Sequence, residues 1–192
     1  MAARAKKKSI EQQFNYPILL LIHKASFNPV VKSKSDFMID NNQPILVNAG
    51  EGKEIRVGRS KLFLKLFSQD TANKFSITEY ELPSGFPGPP AHKHRVFEHA
   101  WYVLEGELTV QVGDKLLVLT TGSFIFIPKR LVHAFANSSE ALVKILVIDT
   151  PGGFENYYDD LQAAFGQGQA MDHEKMRKIQ LQYDTYPPDY VF

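Results

Sequence analysis

The fold of this chain is constrained most strongly by a series of short apolar or alternating segments that occupy about residues 54–148. They are rich in Val, Ile, Phe and Tyr, and Gly, Pro, Asp and Asn separate them. Such lengths and residue types favour strands over helices. The predicted strands are Glu54–Val57, Lys61–Phe67, Lys74–Leu82, Ala100–Leu104, Glu107–Val112, Lys115–Leu119, Phe124–Ile127, His133–Ala136 and Leu142–Ile148. This close succession predicts an all-β sandwich or barrel of the jelly-roll type.

The pattern changes on either side of this region and divides the chain into three parts. Residues 1–45 are predicted to be an N-terminal extension, residues 46–150 the barrel, and residues 151–192 a C-terminal helical extension and tail. Beyond residue 150, apolar residues recur with the spacing of one helix face, which predicts an amphipathic helix that ends at Gly166. The residues of this face are Phe154, Tyr157, Tyr158, Leu161 and Phe165. A second helix is predicted from about Asp172 to Tyr183, followed by an extended, docked tail.

Composition excludes several classes of function. Lys and Arg total 22 and Asp and Glu total 21, so no net field favours binding to nucleic acid or to an anionic membrane surface. The chain contains no cysteine, which excludes disulfides, thiolate ligands and a thiol nucleophile. The lack of cysteine also fits a reducing compartment, so we expect a cytoplasmic protein.

A short apolar run, Pro17–Ile22, lies within the N-terminal extension. Its six residues are far fewer than the roughly 20 that a membrane helix needs. We interpret the run as an arm or edge strand that packs on the body of the protein or on a second subunit. An exposed edge together with such an arm predicts a homodimer, with residues 17–30 as the candidate for exchanged contacts.

Four of the six histidines fall in two short stretches, which predicts a metal site built from separated strands. His92 and His94 are two residues apart, so in a strand their side chains project from the same face. His133 follows Pro128 on another strand and could close the site. Imidazole suits Zn, Cu, Fe and Ni, and a mixture of imidazole and carboxylate suits Fe, Mn or Ni. We therefore expect one divalent transition metal: Fe, Mn, Ni, Cu or Zn.

The nature of the fourth ligand is open at this level, because Glu98 and His99 are adjacent. Strand alternation places His99 with Trp101 and Val103 on one face. The other face carries Glu98, Ala100, Tyr102 and Leu104. Since both faces are bulky, alternation alone does not decide which of them lines the interior.

Two groups of residues have characteristic spacings along the sequence. The first group is His92, His94 and Gly106, and the second is Gly122, Pro128, His133 and Asn137. These offsets resemble the two motifs of the cupin superfamily, and the stretch from about Glu54 to Leu161 is similar to small single-domain cupins related to quercetin dioxygenases. The resemblance implies a double-stranded β-helix, with His92, His94 and His133 as metal ligands in its interior.

The chain departs from the family pattern at two positions. Six residues separate His99 from Gly106, which places His99 where the family has its metal-binding Glu, and Glu98 lies one residue earlier. Strand register is a stiffer constraint than loop length, so the comparison favours His99 as the fourth ligand. Arg130 replaces a glycine of the second motif, which predicts a non-glycine turn conformation near the mouth of the barrel.

The resemblance also implies a function, namely a dioxygenase whose metal binds an enol- or phenol-like substrate while a carboxylate removes its proton. Glu98, if His99 replaces it at the metal, would be that base. The candidate pocket residues are Trp101, Tyr102, Phe124, Phe126 and Phe135. Two alternatives stay open: a cupin that binds a small molecule without turnover, and a metal-dependent isomerase or lyase acting on a sugar- or keto-acid-like substrate.

Overall fold

The computed structural model describes residues 43–166 and 172–192. The predicted N-terminal extension, residues 1–45, lies outside the described residues except for its last three, as does the arm at residues 17–30. The predicted homodimer stays a prediction. Within the part of the chain that is described, no helix is both long enough and apolar enough to cross a membrane.

Antiparallel strands are the main secondary structure of the described chain, and the longer ones lie where the alternating sequence pattern predicts. The strands are β1 Lys53–Val57, β2 Ser60–Leu66, β3 Ser76–Leu82, β4 Lys93–His94, β5 Glu98–Glu105, β6 Glu107–Val112, β7 Lys115–Thr120, β8 Phe124–Ile127, β9 His133–Ala136, β10 Val143–Thr150 and β11 Thr185–Tyr186. All the predicted strands are present. The two-residue strands β4 and β11 were not predicted, because they are too short to show a periodicity.

The strands form two main sheets. The larger sheet has the order β1-β2-β3-β10-β5-β8, and the smaller has the order β7-β6-β9. A third, two-stranded sheet pairs β11 with β4. One cluster of buried apolar side chains includes residues of both main sheets. The predicted all-β jelly-roll barrel is therefore confirmed.

Successive side chains of each strand point alternately inward and outward. Most of the inward ones are apolar, except at one end of the barrel. On β10 the inward positions are Val143, Ile145, Val147 and Asp149. The first three of these are apolar and fully or almost fully buried, and each such side chain contributes about 1.5–3 kcal/mol relative to full exposure. The fourth, Asp149, pairs with His99 across β5 and is fully buried. The barrel core thus becomes polar at this end, where the histidines lie.

Two helices follow the barrel, α1 (Glu155–Phe165) and α2 (His173–Gln182). The apolar face predicted for the first helix is buried in the core cluster, and the helix ends at Gly166 as predicted. The Asp172 side chain begins α2 by accepting hydrogen bonds from the backbone N–H groups of Glu174 and Lys175. After α2 the chain turns back to the barrel as β11.

Gly88 offers a test of how tightly the loop before the histidines packs on β9. Its φ is +74°, and an added Cβ would lie 1.6 Å from the carbonyl oxygen of Phe135. We expect Gly88→Ala to lower the free energy of unfolding by about 3 kcal/mol or more, because the cost of the strained backbone and the cost of the clash with Phe135 are summed. Gly50→Ala is the matched control, since Gly50 has a similar φ of +75° and no neighbouring atom within 4 Å. Equal losses in the two variants, measured by urea unfolding, would contradict the prediction.

Candidate metal centre

Three histidines lie close together because His92, just before β4, pairs with His133 of β9, and His94 lies on β4 itself. The backbone N–H of His92 donates to the carbonyl of His133 at 2.9 Å, and the N–H of His133 donates to the carbonyl of His92 at 2.8 Å. This reciprocal pair fixes the two residues side by side. His94 lies two residues beyond His92 and projects from the same face.

The three side chains have the spacing of a shared ion site. His92, His94 and His133 each offer a ring nitrogen, and these nitrogens lie within 4.8 Å of one another. Two imidazole nitrogens bound at about 2.1 Å to one ion are at most about 4.2 Å apart, so small ring movements suffice for coordination. No other such group of His, Asp or Glu occurs in residues 43–166 and 172–192.

Backbone carbonyl oxygens orient all three rings in the same way. The Nδ1 atom of His92 lies 2.8 Å from the oxygen of Pro90, that of His94 lies 3.0 Å from Asp184, and that of His133 lies 2.9 Å from Leu131. Because a carbonyl can only accept, each Nδ1 carries the proton and each Nε2 keeps its lone pair. This is the arrangement of metal-ligating histidines.

Two of the free nitrogens have no partner among residues 43–166 and 172–192. The Nε2 atoms of His94 and His133 are buried and form no hydrogen bond with the described residues. An unpaired buried acceptor is costly, so its presence in a cluster of three indicates a missing ligand. A divalent transition metal fits this set of donors, since neutral imidazole is the preferred ligand of Zn, Cu, Fe and Ni.

Burial keeps these imidazoles neutral and so ready to bind a metal. Desolvation lowers the pKa of His92 to about 4 and that of His133 to about 3. Desolvation, reinforced by the neighbouring histidines, lowers the pKa of His94 still further. At neutral pH all three are therefore unprotonated without help from a metal.

His99 lies beside this cluster and is held by a buried carboxylate. Its Nδ1 lies 2.6 Å from Oδ1 of Asp149, and Oδ2 of Asp149 accepts a hydrogen bond of 3.0 Å from the Tyr158 hydroxyl. Burial, followed by the charge of Asp149, raises the pKa of Tyr158 well above its ordinary value, so this hydroxyl stays a donor. The His99 ring is 4.6 Å from the His94 ring, centroid to centroid. His99 thus faces the interior, and its role as a fourth ligand stays a prediction.

The structure places Glu98 away from the histidines. On β5 the residues His99, Trp101 and Val103 are buried, so Glu98 projects from the outer face of the sheet. The base role predicted for Glu98 required it to reach the interior, and the geometry does not provide this. Sequence alternation could not make the distinction because the outer face also carries Tyr102 and Leu104.

The predicted pocket residues separate into two groups. Trp101 and Phe135 face the interior with their rings 5.2 Å apart, and the Trp101 ring lies 5.8 Å from the His133 ring. Tyr102, Phe124 and Phe126 do not line the interior, since they are 41%, 61% and 49% exposed. The physical reason is register: Tyr102 pairs with Phe124 on the outer face of β5 and β8, and Phe126 lies in the same row.

Three residues around the cluster were missed at the sequence level. Phe154 lies 5.3 Å from the His94 ring and 5.1 Å from the His99 ring, and Phe97 lies 6.3 Å from the His94 ring. These rings form an apolar wall. Asp149 had a usable signal, namely a charged residue at the inward parity of an otherwise apolar strand. The non-glycine turn conformation predicted at Arg130 is wrong, because Arg130 adopts a left-handed φ of +68°, the region that glycine favours.

The lowered pKa values predict that metal-free protein loses stability as the pH falls below about 6.5. Unfolded histidines take up protons near 6.5, whereas folded His92 resists protonation down to about 4. The unfolded state therefore binds more protons across this window, and His92 alone should cost about 2 kcal/mol by pH 5. Urea unfolding of chelator-treated protein at several pH values between about 7.5 and 5 measures the effect. His92→Gln should show a shallower fall, and a pH-independent stability of the parent would contradict the prediction.

Comparison with known families agrees with this geometry. Residues 78–149 match the cupin domain family. The chain is 25% identical over 122 residues to the quercetin 2,3-dioxygenase of Bacillus subtilis, a match that covers 64% of this chain and 36% of that protein. The chain therefore spans about a third of the length of that relative.

Solved structures share the fold. A predicted oxalate decarboxylase from Thermotoga maritima superposes with a TM-score of 0.52 at 19% identity, covering 55% of this chain and 98% of that structure. KdgF from a Halomonas species gives a TM-score of 0.52 at 13% identity, covering 59% of this chain and 99% of that structure. At these identities the similarity establishes the barrel alone.

Proposed function

Because this chain contains a cupin domain, we propose that it is a metal-dependent dioxygenase acting on an enol- or phenol-like small molecule. The observation that carries the proposal is the cluster of three neutral histidines with two buried, unpaired Nε2 atoms. The similarity in sequence to a quercetin 2,3-dioxygenase supports the choice of reaction class.

The side chains have distinct tasks in this proposal. His92, His94 and His133 would hold the ion through Nε2, and His99 is placed to join them. A bound divalent transition metal would lower the pKa of a hydroxyl group coordinated to it. Neutral imidazoles leave the charge of the ion uncompensated, and the buried carboxylate of Asp149 acts only through His99. A substrate that becomes an anion on binding would supply the missing charge, which favours enols and phenols.

The surroundings of the cluster fit a reaction that excludes water. Phe97, Phe154 and Trp101 present aromatic faces or edges to the histidines, so the environment is apolar and of low dielectric. No base role is assigned to Glu98, since it projects from the outer face of β5.

Oxygen uptake tests the proposal. Protein freed of metal is loaded in turn with Fe(II), Mn(II), Ni(II), Cu(II) and Zn(II), and each form is mixed with flavonols, catechols and 1,3-diketones in an oxygen electrode cell. We expect oxygen uptake that matches substrate loss for at least one redox-active metal and none for Zn(II).

Two outcomes would overturn the dioxygenase assignment. Turnover of a sugar or keto acid with Zn(II) and without oxygen uptake would place the protein among isomerases or lyases. Tight binding of a ligand with no turnover under any metal would make it a binding protein.

A further inference from the structure

The C-terminal tail pairs with the strand that carries His94. Strand β11 runs antiparallel to β4, with Thr185 opposite His94 and Tyr186 opposite Lys93. The Lys93 ammonium group donates a hydrogen bond of 2.8 Å to the carbonyl of Pro188. The tail lies outside residues 78–149, which form the cupin domain match. The domain alone therefore does not contain all the contacts of its own metal ligands.

Asp184, at the start of this tail, contacts the metal site in two ways. Its carbonyl oxygen accepts the Nδ1–H of His94 at 3.0 Å. Its carboxylate Oδ2 accepts the backbone N–H groups of Val96 at 2.6 Å and Phe97 at 3.2 Å. One residue thus fixes both the ring of His94 and the turn that leads from β4 to β5.

The ring of His94 uses a distant partner, whereas the rings of His92 and His133 use local ones. The rings of His92 and His133 each bond the carbonyl two residues before them, those of Pro90 and Leu131. The equivalent carbonyl for His94 belongs to His92, and it accepts the backbone N–H of His133 instead. The acceptor for the His94 ring is instead the carbonyl oxygen of Asp184.

The backbone of Asp184 adopts a left-handed conformation. Its φ of +56° lies in the left-handed region, which is unfavourable for most residues and is tolerated best by glycine, asparagine and aspartate. This conformation allows the carbonyl and the carboxylate of one residue to serve the same short segment.

We propose that Asp184 is a positioning residue of the metal centre and that the C-terminal tail is part of the site. It holds the His94 ring with Nε2 directed toward His92 and His133. The inference rests on the metal centre of the proposed function but on no reaction.

Cobalt binding tests this role directly. Co(II) is titrated into metal-free protein, with affinity measured by competition with a chelator and geometry read from the visible d–d bands. We expect Asp184→Ala to weaken Co(II) binding by roughly 10- to 100-fold and to change the band pattern, as loss of a supporting contact to a ligand does. Asp184→Asn should recover much of the affinity, because asparagine tolerates the left-handed region and keeps an acceptor oxygen.

Asp189→Ala is the matched control, since Asp189 is an exposed acid of the same tail with no hydrogen bond to the described residues. Parental affinity and bands in Asp184→Ala, or an equal loss in Asp189→Ala, would overturn the positioning role. If Asp184→Ala fails to fold by circular dichroism, Asp184→Gly decides, because glycine keeps the backbone conformation and loses only the carboxylate. In that variant an unchanged Co(II) affinity and spectrum would overturn the positioning role of the Asp184 carboxylate, since the carbonyl that accepts from His94 is still present. A parent that binds no Co(II) would instead refute the metal centre itself.

Discussion

Replacing His133 with alanine should weaken metal binding by more than about 100-fold. His133 supplies one of the two buried Nε2 atoms that lack a partner, and it joins strand β9 to the histidines of the β4 region. Loss of a supporting contact to a ligand already costs roughly 10- to 100-fold in affinity, so loss of a ligand should cost more. The same result is expected for His92→Ala and His94→Ala. Elemental analysis of the purified proteins, together with Co(II) titration, measures the effect.

The same measurements on variants of the adjacent residues His99 and Glu98 test the identity of the fourth ligand. His99→Ala should lower metal content if His99 coordinates the ion, as the strand register of the sequence predicts. Glu98→Gln is its control and should leave metal content unchanged, because Glu98 projects from the outer face of β5. A metal content equal to that of the parent in both His92→Ala and His133→Ala would show that the site assignment is wrong. Loss of metal in Glu98→Gln but not in His99→Ala would indicate that the Glu98 carboxylate, and not His99, binds the ion.

The barrel could be predicted from sequence because its strands alternate and its turns carry glycine. Strands β6 and β7 illustrate this, since Gly113, with a φ of +55°, ends one strand and the next begins at Lys115. The same local pattern located His92, His94 and His133, because two of them share a strand face and the third follows a turn. Local periodicity is thus sufficient for the fold and for the three histidines of the cluster.

The remaining parts of the site depend on contacts between distant residues. The inward face of β5 was undecided because Tyr102 and Leu104 make its outer face apolar too. Only pairing with β10, whose inward positions are fully or almost fully buried, selects the face with His99. Asp184 lies 90 positions after His94 and carries no motif, so no pattern in the sequence connects the two. Contacts between distant parts of the chain, rather than residue type, decide both the inward face of β5 and the pairing of Asp184 with His94.

Asp149 should be the most sensitive single position for the stability of the metal-free protein. It is fully buried, and its two carboxylate oxygens bind the Nδ1 atom of His99 and the hydroxyl of Tyr158. Asp149→Ala would leave both of these donors buried without an acceptor. Removing one partner from a buried, charged, hydrogen-bonded group typically costs about 3–5 kcal/mol, so we expect a loss of this size in the free energy of unfolding. Urea unfolding of chelator-treated protein at neutral pH measures it.

Variants of increasing severity distinguish the loss of these hydrogen bonds of Asp149 from a general effect of mutation. Tyr158→Phe removes one donor and keeps the ring, so it should cost only about 1–2 kcal/mol. Asp149→Asn keeps an acceptor oxygen and should fall between Tyr158→Phe and Asp149→Ala. Asp114→Asn, in the exposed turn between β6 and β7, should change stability by less than about 0.5 kcal/mol. If Asp149→Ala were as stable as Asp114→Asn, the carboxylate would not be needed to hold His99, and the imidazole could turn freely beside the three other histidines.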